Sequence, residues 1–217
     1  TSFTILAAGD VLPHLPVMKS ARAGDGYDFS PLLAGLDPWV QGADLALCHM
    51  EVPVAPKGRP VSGYPMFGTT PGLVEDLAEQ GWDGCSTASN HSVDRGYAGV
   101  ERTLDVFDSA GLGHVGTARS VQEAAAPALY RVAVDGQPTL VAHLSAAYGT
   151  NGMPVDADKP WSVTLIDTDQ IVELETAYVP TDQTRLPFAA SSASTVPFEA
   201  TANSRFFVPA AVFTPLR

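Results

Sequence analysis

Ser89-Asn90-His91-Ser92-Val93-Asp94-Arg95-Gly96 joins an apolar run, residues 82–88, to a stretch whose apolar residues recur at helical spacing. A strand that feeds a helix through such a corner sets its polar side chains beyond the strand's carboxyl end, where open parallel sheets hold their ligands. Two earlier apolar runs end in the same manner: residues 3–8 lead into Gly9-Asp10, and residues 43–48 lead into His49-Met50-Glu51. Each polar residue has a structural explanation of its own. Asp10 can cap a turn, Glu51 can be a loop acid, and Asn90 and Ser92 are ordinary helix-start residues. Repetition at three strand ends favours a shared site.

The chain around these ends alternates strand and helix. Residues 4–8, 43–48, 82–88 and 114–116 read as strands, and residues 31–36 as a short helix with Pro31 at its start. Leu73, Val74 and Leu77 share one face of a helix over 72–80 that Gly81 stops. Tyr97, Val100, Leu104 and Phe107 mark a second amphipathic helix, closed by Gly111. This order predicts a parallel sheet with right-handed crossovers. Residues 53–71 are too rich in proline and glycine for a regular element and follow Glu51 directly, so they are expected to fold over the site as a lid-like loop. Tyr64 and Phe67 of that loop are candidates for a pocket wall or for packing onto the core.

The second half changes character. Residues 129–134 and 139–145 flank Asp135-Gly136, a hairpin signal, and residues 161–166, 171–179 and 206–213 read as further strands. A second, more antiparallel sheet is expected to follow the first. Residues 181–204, rich in Ser, Ala, Thr and Pro without periodicity, read as a surface loop.

Composition narrows the function. Twenty-four acidic against 12 basic residues give a formal charge of -12, which repels phosphate backbones and argues against nucleic-acid partners. No apolar run approaches the roughly 20 residues that a membrane span needs. A length of 217 residues with a mean hydropathy of +0.07 fits one domain over residues 1–217. The chain opens at Thr1 rather than Met, as it would after removal of an export leader. Cys48 and Cys85 each sit near the end of a predicted strand and belong to no CxxC pair, which argues against zinc-ribbon and thioredoxin-like readings. They are a buried thiol pair or, if those strands are neighbours in an exported protein, a disulfide.

Asp10, Glu51, Asn90 and His91 supply the carboxylate, amide and imidazole donors that a hard or borderline divalent ion prefers. Two such ions about 3.5–4 Å apart share a bridging carboxylate, here Glu51 or Asp10. His14 follows Asp10 closely enough to join the site, and equally suits a surface loop. His49, two residues before Glu51, points to the same side on an extended chain and is expected to stand behind the ligands. Asp94 and Arg95 are read as substrate-binding residues or as support for the ligands. His114 and His143 lie in strand-like runs and read as packed, hydrogen-bonded imidazoles. Ser89, His91 and Asp94 are too crowded in sequence for a nucleophilic triad, and no Gly-x-Ser-x-Gly elbow, dinucleotide fingerprint or P-loop is present.

Gly9-Asp10-Val11, His49-Met50-Glu51-Val52-Pro53, residues 89–96 and Tyr148-Gly149-Thr150-Asn151-Gly152 together resemble, in order and spacing, the bacterial capsule-synthesis proteins of the CapA, or poly-γ-glutamate biosynthesis, type. That family is similar in fold to calcineurin-like metallophosphatases. The resemblance implies an α/β fold, a metallophosphatase-like two-sheet sandwich flanked by helices, with a dinuclear centre of Mn, Zn or Fe at the strand ends. Asp10, Glu51 and Asn90 would be metal ligands, and His91 the catalytic acid or stabiliser facing the scissile group. It further implies an exported or envelope-anchored bacterial protein acting on an anionic cell-envelope polymer or a phosphoester.

The chain departs from the family pattern in its second half. The family's later histidine motifs, a His-Trp-Gly and a Gly-His-x-x-His-like string, are missing, and nothing beyond His143 replaces them. The sequence reads as though two parts of the family pattern were joined across a gap near residues 171–173. The expectation is therefore a hydrolase scaffold with an incomplete metal site, weakly active or inactive in this form, or alternatively a non-catalytic polymer-binding or assembly module.

Overall fold

The computed structural model describes residues 2–134, 137–167, 198–199 and 206–211. From the N-terminus run β1 (Ser2–Phe3), β2 (Ile5–Val11), α1 (Leu15–Ser20), the hairpin β3 (Arg22–Ala23) and β4 (Gly26–Tyr27), α2 (Ser30–Leu33), a 3-10 turn at Ala34–Leu36, α3 (Asp37–Val40) and β5 (Leu45–Met50). There follow α4 (Pro71–Gln80), β6 (Gly84–Ser86), α5 (Gly96–Ala110), β7 (Gly113–Val115), α6 (Val121–Ala124), β8 (Ala128–Val134) and β9 (Gln137–Ala146). A 3-10 turn at Pro160–Ser162, β10 (Phe198–Glu199) and β11 (Phe206–Ala211) complete the described elements.

The fold is α/β. Strands β2, β5, β6 and β7 form a four-stranded sheet in that order, parallel throughout. A second sheet has the order β11-β9-β8, with β8 antiparallel and β11 parallel to β9. The composition of β5 shows why it lies at the centre: all six residues are buried, and successive side chains go to opposite faces. Ala46, Cys48 and Met50 pack under the helices with Leu73, Val74 and Leu77 of α4 and Val106 and Phe107 of α5. Leu45 and Leu47 meet Val132 and Val141 of the second sheet, together with Phe3. Each fully buried leucine contributes about 1.5–3 kcal/mol, so β5 holds both layers at once.

Both predicted helices close as their glycines require. Gly81 and Gly111 follow α4 and α5 in the left-handed region, at φ of 109° and 74°. The two sheets approach closely where glycine leaves room: a Cβ at Gly84 or Gly113 would collide with the Tyr130 hydroxyl. Cys48 and Cys85 are register partners on β5 and β6, with Cα atoms 4.3 Å apart and their sulfurs bonded.

Some expectations change. Residues 161–166, read as a strand, form instead the 3-10 turn followed by isolated bridges at Val163 and Leu165, because Pro160 at the start of the turn sets its φ for a helical bend. The helix over 31–36 divides into α2 and a 3-10 turn, and α1 and α3, short and each with proline in its first turn, lacked an apolar period to announce them. Asp135-Gly136, the seam near residues 171–173 and the strand over 171–179 lie outside the described residues. So does most of the loop over 181–204, within which Phe198–Glu199 pairs antiparallel with β1.

Candidate functional site

The carboxyl ends of β2, β5 and β6 converge on one corner. The β2–β5 register shifts between Ala7 and Asp10, and this bulge re-aims the end of β2 so that Asp10 pairs with His49. Asp10 and Glu51 then lie with their carboxyls within hydrogen-bonding reach of each other. Burial, followed by the charge and hydrogen bond of Asp10, pushes the Glu51 carboxyl up to about 7, with Asp94 adding to the rise and His91 opposing it. Glu51 is 5% exposed, and its Oε2 is buried without a hydrogen-bond partner.

Two serines build the turn after β6. Ser92 Oγ accepts from the Ser89 amide at 2.7 Å and lies 2.9 Å from the carbonyls of Thr87 and Ser89. Ser89 Oγ accepts from the His91 amide at 2.9 Å and donates to the Glu51 carbonyl at 2.5 Å. These bonds satisfy backbone groups that the turn would leave bare and tie the corner to the end of β5. Asn90 sits at the tip of the corner with Oδ1 buried and unpartnered, while its Nδ2 donates to Oδ1 of Asn151 at 3.3 Å.

His91 is held from two sides. Its Nδ1 lies 2.8 Å from Asp94 Oδ2, and the same oxygen accepts the amide of Phe67 at 2.7 Å. Burial works against the imidazolium, but the hydrogen bond and charge of Asp94, with the charge of Glu51, outweigh it and raise the His91 pKa. The Phe67 ring stands edge-on to His91 at 4.8 Å and to His14 at 4.9 Å. Arg95 donates through Nε to the Phe67 carbonyl and through Nη2 to the Pro60 carbonyl, both at 3.1 Å, and also to Ser62 Oγ. Asp94 and Arg95 thus grip the two peptide groups of Phe67 and fasten the loop over the corner.

Asp10, Glu51, His91 and Asp94 interact directly, with Asn90 in the same turn. His49 turns to Ser86, with Nδ1 2.7 Å from Ser86 Oγ and Nε2 buried without a partner. Burial lowers its pKa, against the pull of Asp10. Among the described residues, His14 meets the site through its ring contact with Phe67. Arg95, a candidate for substrate, is engaged by the loop. His143 is packed as expected, but its Nδ1 has no partner, and burial, with His49 nearby, lowers its pKa to about 4. Phe67 and Ser89 contribute more than sequence reasoning assigned them, because a loop aromatic and a turn serine carry no positional signal until the tertiary contact exists.

Among the described residues, no three His, Cys, Asp or Glu side chains gather closely enough to hold an ion by themselves. The donors at the corner are the two carboxylates and the Asn90 amide oxygen. Glu51 Oε2, beside the Asp10 carboxyl, and Asn90 Oδ1 are each buried without a partner, an environment that a divalent cation relieves, and an all-oxygen set suits manganese better than zinc.

Comparison with known proteins identifies the family of the chain. The family described as bacterial capsule synthesis protein PGA_cap matches residues 4–194. Two uncharacterized proteins of Sinorhizobium fredii (strain NBRC 101917 / NGR234), y4sH and y4uA, are each 28% identical over 137 residues, covering 60% of this chain and 28% of theirs. The chain therefore matches under a third of the length of these curated relatives. With 191 consecutive positions inside the family match, including every residue of the corner, this chain belongs to the bacterial capsule synthesis protein family PGA_cap.

Proposed function

We propose that this chain works on an anionic polymer of the bacterial cell envelope, of the poly-γ-glutamate class, outside the membrane, through a divalent cation held by Asp10, Glu51 and Asn90. The observation that carries the reading is Glu51 Oε2, buried and unpartnered beside the Asp10 carboxyl, with Asn90 Oδ1 likewise buried and unpartnered in the turn that Ser89 ties to Glu51. A chain of net charge -12 repels a polyanion, and a cation at the acidic corner supplies the missing attraction.

A bound divalent ion offers Lewis-acid polarisation of a phosphoryl or acyl oxygen and an activated water. The protein's own part centres on His91. With Nδ1 held by Asp94, Nε2 is the nitrogen left to exchange a proton, and the raised pKa favours the imidazolium that a general acid needs near neutrality. Phe67 packs edge-on against the ring and limits its tilt.

A second reading, a binding module without turnover, is favoured by the small donor set: three oxygen ligands hold an ion less firmly than a shell completed by imidazoles. Manganese titration by calorimetry, with hydrolysis of a phosphodiester and of poly-γ-glutamate followed in parallel, separates the two. Metal binding lost in Asn90→Ala together with turnover supports the hydrolase, and metal binding without turnover supports the module. No manganese binding at all defeats the cation reading.

A further inference from the structure

Asn151 is the one described non-glycine residue in the left-handed region, with φ of 53°. That conformation costs about 1 kcal/mol or more for a residue with a side chain. It is built deliberately. The loop leaves the end of β9 anchored by the Ala147 amide on the Thr164 carbonyl at 2.9 Å. A turn closes it, with the Met153 amide on the Thr150 carbonyl at 2.8 Å and Thr150 Oγ1 on the Met153 carbonyl at 2.6 Å. Gly152 follows, also with positive φ, at 75°. The product of this turn is a side chain carried by the second sheet to the corner built by the first.

There Asn151 Oδ1 accepts from Asn90 Nδ2. The two ends of a carboxamide are nearly equal in size and opposite in hydrogen-bonding character, and Asn151 carries the same two ends, so the contact fixes where the Asn90 amide lies rather than which end leads. With Nδ2 spoken for, the other end of Asn90 is Oδ1, buried and without a partner. Reversed, the amide would present N–H groups to a cation, and the site would lose one of its three oxygens.

We infer that Asn151 is a positioning residue that holds the Asn90 carboxamide at the corner, where its Oδ1 is left to meet a divalent cation. The inference rests on the cation reading of Asp10, Glu51 and Asn90 and gives the Tyr148-Gly149-Thr150-Asn151-Gly152 segment its role: the second sheet holds in place a ligand on the first. Supports of this kind behind metal ligands are worth about 10–100-fold in affinity.

The backbone conformation makes a clean test possible. Asn151→Gly removes the acceptor while accepting positive φ more readily than asparagine, and Asn151→Asp keeps an acceptor that cannot present N–H. Manganese affinity is measured by calorimetry on the full chain for wild type, both variants and Asn90→Ala, with a thermal melt of each. The expected result is about a 10-fold loss in Asn151→Gly at an unchanged or higher Tm, and wild-type or tighter affinity in Asn151→Asp. Equal affinity of Asn151→Gly and wild type, or equal losses in both variants, overturns the role of Asn151 while the cation site stands. Absence of manganese binding by wild type overturns the site and this role together.

Discussion

Asp94 Oδ2 lies 2.8 Å from Nδ1 of His91, and it spends its remaining capacity on the amide of Phe67 at 2.7 Å. One carboxylate oxygen thus sets both the charge state of the imidazole and the position of the loop above it. Asp94→Asn keeps the shape and removes the charge. The His91 pKa, followed by NMR titration of its ring protons, is expected to fall, since burial alone lowers it. Stability is expected to drop by about 1–3 kcal/mol in denaturant melts, the cost of weakening a buried bond to a charged group. An unchanged His91 pKa would count against Asp94 as the controlling charge.

Arg95 fastens the loop through Phe67, Pro60 and Ser62, and Gly68 is the residue that lets it lie close, since a Cβ there would collide with the guanidinium. Lys57 is exposed on the same loop. In Arg95→Ala, cleavage by trypsin after Lys57 is expected to accelerate about 10-fold or more, the effect of losing roughly 1.4 kcal/mol of local stability. Global unfolding in urea should change less. Equal digestion rates would mean that the loop is held by its other contacts.

Glu51 carries a destabilising charge in the metal-free protein. Its folded pKa of about 7 exceeds the ordinary 4.5, so its favourable contribution is complete below 4.5 and is lost as pH rises through 7. Glu51→Gln removes that loss. Its metal-free Tm at pH 8 is expected to exceed that of wild type by roughly 2–4 °C, with the difference shrinking toward pH 5. Manganese affinity in the same variant should fall about 10-fold or more. A variant less stable than wild type at pH 8 would show that the carboxylate pair is already compensated.

His143 titrates in the opposite direction. Its folded pKa of about 4 lies below the usual 6.5, so the fold is fully stable with respect to this group above pH 6.5. As pH falls toward 4, the unfolded chain takes up a proton that the folded chain refuses, and stability drops by something on the order of 3 kcal/mol. His49, also lowered, adds with the same sign. Urea melts between pH 7 and 4 should show this slope in wild type and a shallower one in His143→Leu. Parallel slopes would place the acid sensitivity elsewhere.

Much of the first sheet was legible because its signals are local. The all-buried run of β5, the periodicity of α4 and α5, and Gly81 and Gly111 act over a few residues, and the structure has each of them in place. Residues 161–166 were misread for the same reason: an apolar run of that length suits a strand until Pro160 bends it. Asp10, Glu51, Asn90 and His91 were recognisable as polar residues repeated at three strand ends.

What the sequence by itself determined, then, is the alternation of elements, the acidic charge, the family and the residues at the strand ends, all of which follow from near neighbours along the chain. Tertiary structure alone decided how those residues are used. It tied Arg95 to the loop, turned His49 to Ser86, joined Cys48 to Cys85 and brought Asn151 of the second sheet to Asn90 of the first. These pairs are separated by 28 to 61 residues, and a hydrogen bond or disulfide between distant residues depends on ångström-scale packing of the layers that no local pattern records.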